Sequence, residues 1–247
     1  MYCDYHGMVE TIYSRAARRI GHGKQIGIAA ALTIVAVLVA GMFSAIGMQI
    51  TGRSDPSPYT SFLATGFGFA AVALAYLTYT NRGLGYIDGA VPTARSISLG
   101  VGLGVGIFTA QTAIDLTARI AGVSMGVDQA ASQLTGSVPL LVAAIAINLA
   151  LIGPAEELFF RNVLQKRLAE SFRTGTAIGL TSLIFAPLHL GNFHGQSALA
   201  IGVSLSGVVI ASVLLGIAFV RYNRLEVVGI AHGIQNSLVL VTVYLFL

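Results

Sequence analysis

Three short stretches of this chain carry residue types able to do chemistry, and each sits inside an apolar run. The first is Glu156-Glu157-Leu-Phe-Phe-Arg161, the second Phe185-Ala-Pro-Leu-His189, the third His232-Gly-Ile-Gln-Asn236. A carboxylate at membrane depth costs several kcal/mol unless it is paired or faces a polar cavity, so the two glutamates need partners or a task. Glu157 and Arg161 stand four apart in the favourable order, acid first, and can pair along one helix face. Glu156 points about 100° away around the same helix, which leaves one carboxylate free to take a proton. Pro187 loosens the backbone where His189 follows. His232 and Asn236, again four apart, project as a donor pair that can stabilise a carbonyl oxygen turning into an oxyanion. Each stretch also has a plainer reading, as glutamates that snorkel at a span end or as polar residues that knit helices together.

The elements that must position these residues are membrane spans. Of 247 residues, 55% are hydrophobic and 10% charged, too few polar groups to cover a soluble globule. Apolar runs near the ~20 residues needed to cross a bilayer occur at approximately 25–50, 60–80, 97–121, 137–161, 175–190, 198–220 and 226–247, the fifth being short. The expected fold is all-α: a polytopic transmembrane helix bundle of about seven spans, or eight helices if the basic segment 1–24 adds one. Residues 1–24 read as a cytosolic or interfacial segment, and 25–247 as a single transmembrane domain with its catalytic core in about 137–242. With the N-terminus in the cytosol, twelve of the 14 Lys and Arg fall inside and only Arg53 and Arg119 outside, a lopsidedness that supports both orientation and an odd span number. The net charge of +4 is therefore topological and calls for no nucleic acid.

A depth count brings the three stretches together. At 1.5 Å per helical residue, Glu156 and Glu157 lie ~14–16 Å below a surface marked by Lys166 and Arg167. His189 lies ~21 Å from residue 175 and His232 ~14 Å from Asn223, all within one layer given ordinary tilt. This holds only if the fourth helix runs on for two turns beyond the glutamates.

In this order on successive helices, EExxxR, FxxxH and Hxxx(N/D) resemble the CPBP or Abi family of intramembrane endopeptidases, which includes the type II CAAX prenyl endopeptidases. Ser206-Gly207 to Gly216 and the following Arg221-Tyr-Asn-Arg-Leu are similar to the family's segment before the last motif. The resemblance covers about residues 137 to 242 and implies hydrolysis of a peptide bond in a cavity open to the cytosol. By that resemblance Glu156 and His189 activate water, His232 and Asn236 stabilise the oxyanion, and Glu157 with Arg161 holds the helix and its charge state. No cofactor is favoured; zinc, if bound, would take Glu156, His189 and His232 and keep one position for water. The implied partners are the lipid bilayer of the cell (plasma) membrane and a membrane-associated or lipidated protein or peptide, prenylated or not. The chain is shorter than the eukaryotic CAAX enzymes, and its first three spans match no family pattern.

A transporter or non-catalytic scaffold using the buried Glu and His residues as a proton relay is the alternative from another class. Several residues lie outside the motifs. In the third span Gly100/Gly104 and Gly102/Gly106 are small-xxx-small pairs suited to close helix packing. Gln111 and Asp115 share a face expected to turn inward, Asp115 either supporting the site or structural. Cys3 has no disulfide partner, His6 and His22 read as solvated, and His194 as exposed in a short external loop.

Overall fold

Long runs of Ala, Leu, Val and Ile can cross lipid only if every backbone polar group is satisfied within the segment, so they become helices. The computed structural model describes residues 21–127, 129–134 and 136–246. Among them are seven helices long and apolar enough to span a membrane: α1 His22–Thr51, α2 Pro58–Tyr79, α3 Ala94–Ile120, α4 Val138–Ala169, α5 Thr174–Phe193, α6 Ala198–Tyr222 and α7 Leu225–Phe246. The expected boundaries hold to within a few residues except in α4, which runs eight residues past Arg161 and so extends beyond the glutamates as the depth count required. No strand occurs among the described residues. The basic segment expected at 1–24, with Cys3 and His6, lies outside the described residues up to position 20.

The helix starts are chemically marked. Ser57, Thr93, Ser137 and Ser197 each accept a hydrogen bond from the backbone N–H three residues on, opening α2, α3, α4 and α6. Such caps satisfy donors that a helix cannot reach by itself. α6 stops at Asn223, whose left-handed φ of 49° lets the chain reverse into α7 within two residues.

One end of the bundle is closed by residues 80–93. Lys166 donates from Nζ to Tyr86 O at 2.7 Å and pairs with Asp88 at 2.8 Å; Asp88 N–H donates to Asn162 Oδ1 at 3.0 Å, and Arg82 pairs with Glu170. Leu225 N–H donates to Asp88 O and Ala90 N–H to Glu226, so the turn between α6 and α7 is tied to the same strap. His22 belongs to this end too. It is exposed, as expected, yet Nε2 bonds Ser171 O at 3.0 Å and the ring stacks on Phe172 at 4.5 Å, because the start of α1 packs on the turn joining α4 to α5. At the opposite end Gln196 bonds both Gly126 N–H and Val127 O, drawing the α3–α4 connection over the start of α6.

Glycines set the helix crossings that matter. A Cβ on Gly153 of α4 would strike Gly229 O and Gly233 N of α7, and one on Gly233 would strike Asn148 O and Leu149 Cα. Backbone therefore lies on backbone where α4 meets α7, the close approach that small residues permit in lipid. Of the two glycine pairs in α3, only Gly100/Gly104 serves this way, facing Val227 O, Ile230, Ala231 O and Ile234 of α7. Gly102 and Gly106 meet nothing within 4 Å, which corrects the expectation for that pair: two positions on, the helix has turned them off the α7 contact. Gly104→Ala, whose methyl would fall 2.5 Å from Ala231 O, is expected to destabilise the protein by about 1–3 kcal/mol. Gly102→Ala should leave it within about 0.5 kcal/mol. Thermal unfolding of both variants in detergent checks this, and equal melting temperatures would refute the assigned crossing.

Candidate active site

α4 is not a uniform α-helix. Its turns widen to π-helix over Asn148–Ile152 and again over Leu158–Gln165, leaving Gly153–Glu157 as one α-helical turn between them. Pro154, at the start of that turn, has no N–H to give the preceding turn, which removes one rung of the ladder there. Such π insertions often mark functional positions, since they rotate side chains that a regular helix would bury elsewhere. Here the irregular stretch brackets the two glutamates.

Glu157 is wholly buried and held at both oxygens. Arg161 Nε donates to Oε2 at 2.7 Å, and His232 Nδ1 lies 2.9 Å from Oε1. A carboxylate oxygen can only accept, so His232 carries its proton on Nδ1 and turns Nε2 toward Glu156, whose Oε2 is 3.7 Å away. Arg161, also fully buried, donates from Nη2 to Ser212 Oγ at 3.0 Å, and one turn on Gln165 donates to Gly216 O at 3.1 Å, so α4 is pinned to α6 by two bonds in register. The unequal division expected of the glutamates is observed: Glu157 pairs with Arg161, while Glu156 faces the cavity. Because Arg161 lies inside the bundle, it is not a loop charge and drops out of the twelve basic residues assigned to the inner face.

His189 approaches from α5. The α-helix ends at Phe185 and tightens to 3₁₀ over Ala186–Phe193 with Pro187 in its first turn, the loosening expected of that proline. The His189 ring lies 4.6 Å from that of Phe185, which lies 6.0 Å from that of His232, so an aromatic spacer separates the two histidines. His189 Nδ1 is buried and has no hydrogen-bond partner among the described residues.

Asn236 shares the α7 face of His232, as its spacing required, and donates from Nδ2 to Asn148 Oδ1 at 3.0 Å. Asn148 in turn donates to Ala144 O at 2.9 Å and is almost fully buried. Sequence reasoning missed Asn148; the signal was an amide inside the apolar run INLALIG, eight residues before Glu156. Gln111 turns inward as expected, donating to Gly207 O at 3.2 Å and accepting from Gln235 Nε2 at 2.9 Å. Gln235 was likewise passed over, being read only as filler in the third motif. Asp115 pairs instead with Arg119 of its own helix at 2.7 Å, both side chains more than two-fifths exposed, and so does not support the catalytic groups. His194 is exposed, in agreement with its place in a short loop.

Glu156, His189, His232 and Asn236 all line one cavity of about 1070 Å³. This is ample for a peptide segment, small-molecule sites running from about 300 to 1,000 Å³. From this layer the cavity runs to Asp115, Arg119, Gly126, Val127, Phe193 and Phe246, and no residue of the end strapped by 80–93 lines it. The cavity thus extends toward the ends of α3 and α7 that lie opposite Lys166 and Arg167. Among the described residues no three His, Cys, Asp or Glu side chains are grouped so as to hold a metal ion.

Removing one partner of a buried ion pair leaves the other uncompensated. Arg161→Met is accordingly expected to cost about 3–5 kcal/mol, whereas Glu156→Gln, at the cavity wall, should cost no more than about 1.5 kcal/mol. Unfolding in lipid nanodiscs measures both, and an Arg161→Met variant as stable as wild type would contradict the network.

Comparison with known proteins finds a family similar to part of the chain. No curated protein and no solved structure matches the chain. A family model does: residues 138–238, which hold α4 to α6, the first part of α7 and all three motifs, match Rce1-like, described as type II CAAX prenyl endopeptidase Rce1-like. The match covers 101 of 247 residues and names the endopeptidase family that the motifs resemble.

Proposed function

We propose that the protein is an intramembrane endopeptidase that hydrolyses a peptide bond of a membrane-associated protein or peptide, using water activated by Glu156 and His189. The observation that carries this reading is the unequal fate of two adjacent carboxylates. Glu157 spends both oxygens on Arg161 and His232, while Glu156 is left at the wall of a cavity shared with His189. A general base must reach the proton it removes, and of the two only Glu156 does.

In this mechanism Glu156 takes a proton from water as the oxygen attacks the peptide carbonyl carbon, and the carbonyl becomes a tetrahedral oxyanion. Asn236 keeps one N–H on Asn148 and offers its second to that oxygen; His232, when protonated, adds the Nε2–H. Collapse expels the amine, which takes up the proton held by Glu156. The Asn148 bond fixes the amide of Asn236 the right way round, so Asn148 is a positioning residue. Removing one oxyanion donor costs about 10²–10³ in kcat in other hydrolases, and a general base contributes about 10²–10⁴.

The test is incubation of purified protein in lipid with a panel of prenylated and unprenylated membrane peptides. Wild type is expected to cleave at least one, with Glu156→Ala and His189→Ala slower by about 10²–10⁴ yet still binding it. The metal-free mechanism predicts cleavage unchanged by a strong chelator; loss restored by added zinc would replace it with a metalloprotease. Absence of wild-type cleavage across the panel, together with an ion flux abolished by the same substitutions, would favour the proton-relay transporter and overturn the protease.

A further inference from the structure

We infer that the catalytic cavity opens on the extracytoplasmic side of the membrane, so that its substrate is a peptide presented from that side or its leaflet, not a cytosolic C-terminus. The inference about access stands without the protease reading; the statement about substrate rests on it.

Two independent observations point the same way. The first is charge. Once the buried Arg161 is set aside, the described Lys and Arg in the connections and helix ends gather on one face: Lys24, Arg82, Arg95, Lys166, Arg167, Arg173, Arg221 and Arg224. Arg53 and Arg119 alone lie on the other. Basic residues in short loops are retained on the cytosolic side, so the strapped end faces the cytosol.

The second is where the cavity goes. Toward the basic face it is stopped by Phe159, Phe160, Arg161, Leu164 and Leu168, each with no exposed surface, and beyond them by the Lys166–Asp88 and Arg82–Glu170 pairs. Toward the other face its walls are the outer turns of α3, α6 and α7, from Phe108 to Arg119, Val203 to Gly207 and Val239 to Phe246. α5 is the shortest of the seven, and its last four residues beyond His189 are 3₁₀. At about 2.0 Å per residue, His189 is only ~8 Å from the outer end of its helix. The same histidine is fifteen residues from the basic end at Thr174, more than 20 Å by the usual rises. A short fifth helix therefore lowers the outer rim almost to the catalytic layer, whereas entry from the cytosol would require several packed aromatic and ionic layers to part.

The walls between mouth and catalytic layer are largely apolar, with Val37, Phe62, Phe69, Phe108, Val239 and Val243 among them. They suit an apolar peptide segment, and the Asp115–Arg119 pair at the rim is the main charge it would pass.

Cysteine accessibility decides the matter without any turnover. In a Cys3→Ser background expressed in bacterial spheroplasts, single variants Ser124→Cys at the rim, Ser204→Cys in the cavity wall and Thr174→Cys at the basic end are treated with a membrane-impermeant maleimide that adds a mass visible on a gel. Ser204→Cys exchanges one atom and lies outside the proposed catalytic groups, so it should fold. The expected result is a mass shift for Ser124→Cys and Ser204→Cys in intact spheroplasts and for Thr174→Cys only after permeabilisation. Labelling of Ser204→Cys only after permeabilisation, or its failure to label at all, would overturn the proposal, as would labelling of Thr174→Cys from outside. A parallel arm adds the peptide panel to sealed right-side-out and inverted vesicles, with cleavage expected in the right-side-out set. Correct labelling with no cleavage in either set would count against the protease reading and leave the direction of access standing.

Discussion

The structure depends on a buried charge network in which both oxygens of Glu157 are engaged. Glu157, Arg161 and His232 are joined by bonds of 2.7 and 2.9 Å in a region with almost no solvent exposure, and Arg161 reaches on to Ser212. Two charges taken out of water are costly, and their mutual attraction offsets the cost only with close geometry and further hydrogen bonds. Meeting that condition fixes three helices at once, because the carboxylate and guanidinium come from α4, the imidazole from α7 and the hydroxyl from α6. The Gly153, Gly229 and Gly233 contact lets α4 and α7 approach closely enough for the bonds to form.

The same constraint gives the site its polarity. A neighbour already saturated by partners leaves Glu156 as the carboxylate that faces the cavity, and the second His232 nitrogen is turned toward it. The π-helical turns on either side are the backbone's adjustment to this demand: a regular helix would carry Asn148 and Glu156 on a fixed repeat, whereas widened turns let both meet α7. The family match over residues 138–238 falls on the same four helices, and α1 to α3 serve them as wall and support. α3 lines the cavity and contributes Gln111 to the polar seam with α7, while α1 and α2 pack against α4 and add Val37, Phe62 and Phe69 to the cavity wall.

The direction of the cavity joins local chemistry to topology. Closure at the basic end comes from residues 80–93, whose Asp88 receives Lys166 and whose backbone meets the start of α7. Opening at the other end follows from α5 being too short to reach as far as its neighbours. A protease built this way would draw its substrate from the side away from the basic loops, and the lipid chain of a prenylated cytosolic protein would then have no direct path to Glu156.

Seven spans, the limits of all but α4, and the need for α4 to continue past the glutamates were legible in the sequence because hydropathy and the 1.5 Å rise are local properties of a chain in lipid. So was the Glu157–Arg161 pair, since residues four apart on a helix meet whatever surrounds them. Only the tertiary structure decided that His232 spends one nitrogen on Glu157, that Asn148 orients Asn236, that Gly102 and Gly106 face no helix, and that His22 is bonded to Ser171. Each of these is a contact between segments far apart in the chain, where helix rotation and crossing select the partner and periodicity within one segment carries no information. The face to which the cavity opens belongs to the same class: loop charges assign each end of the bundle to a side, but which end is packed shut depends on how seven helices of unequal length fill space.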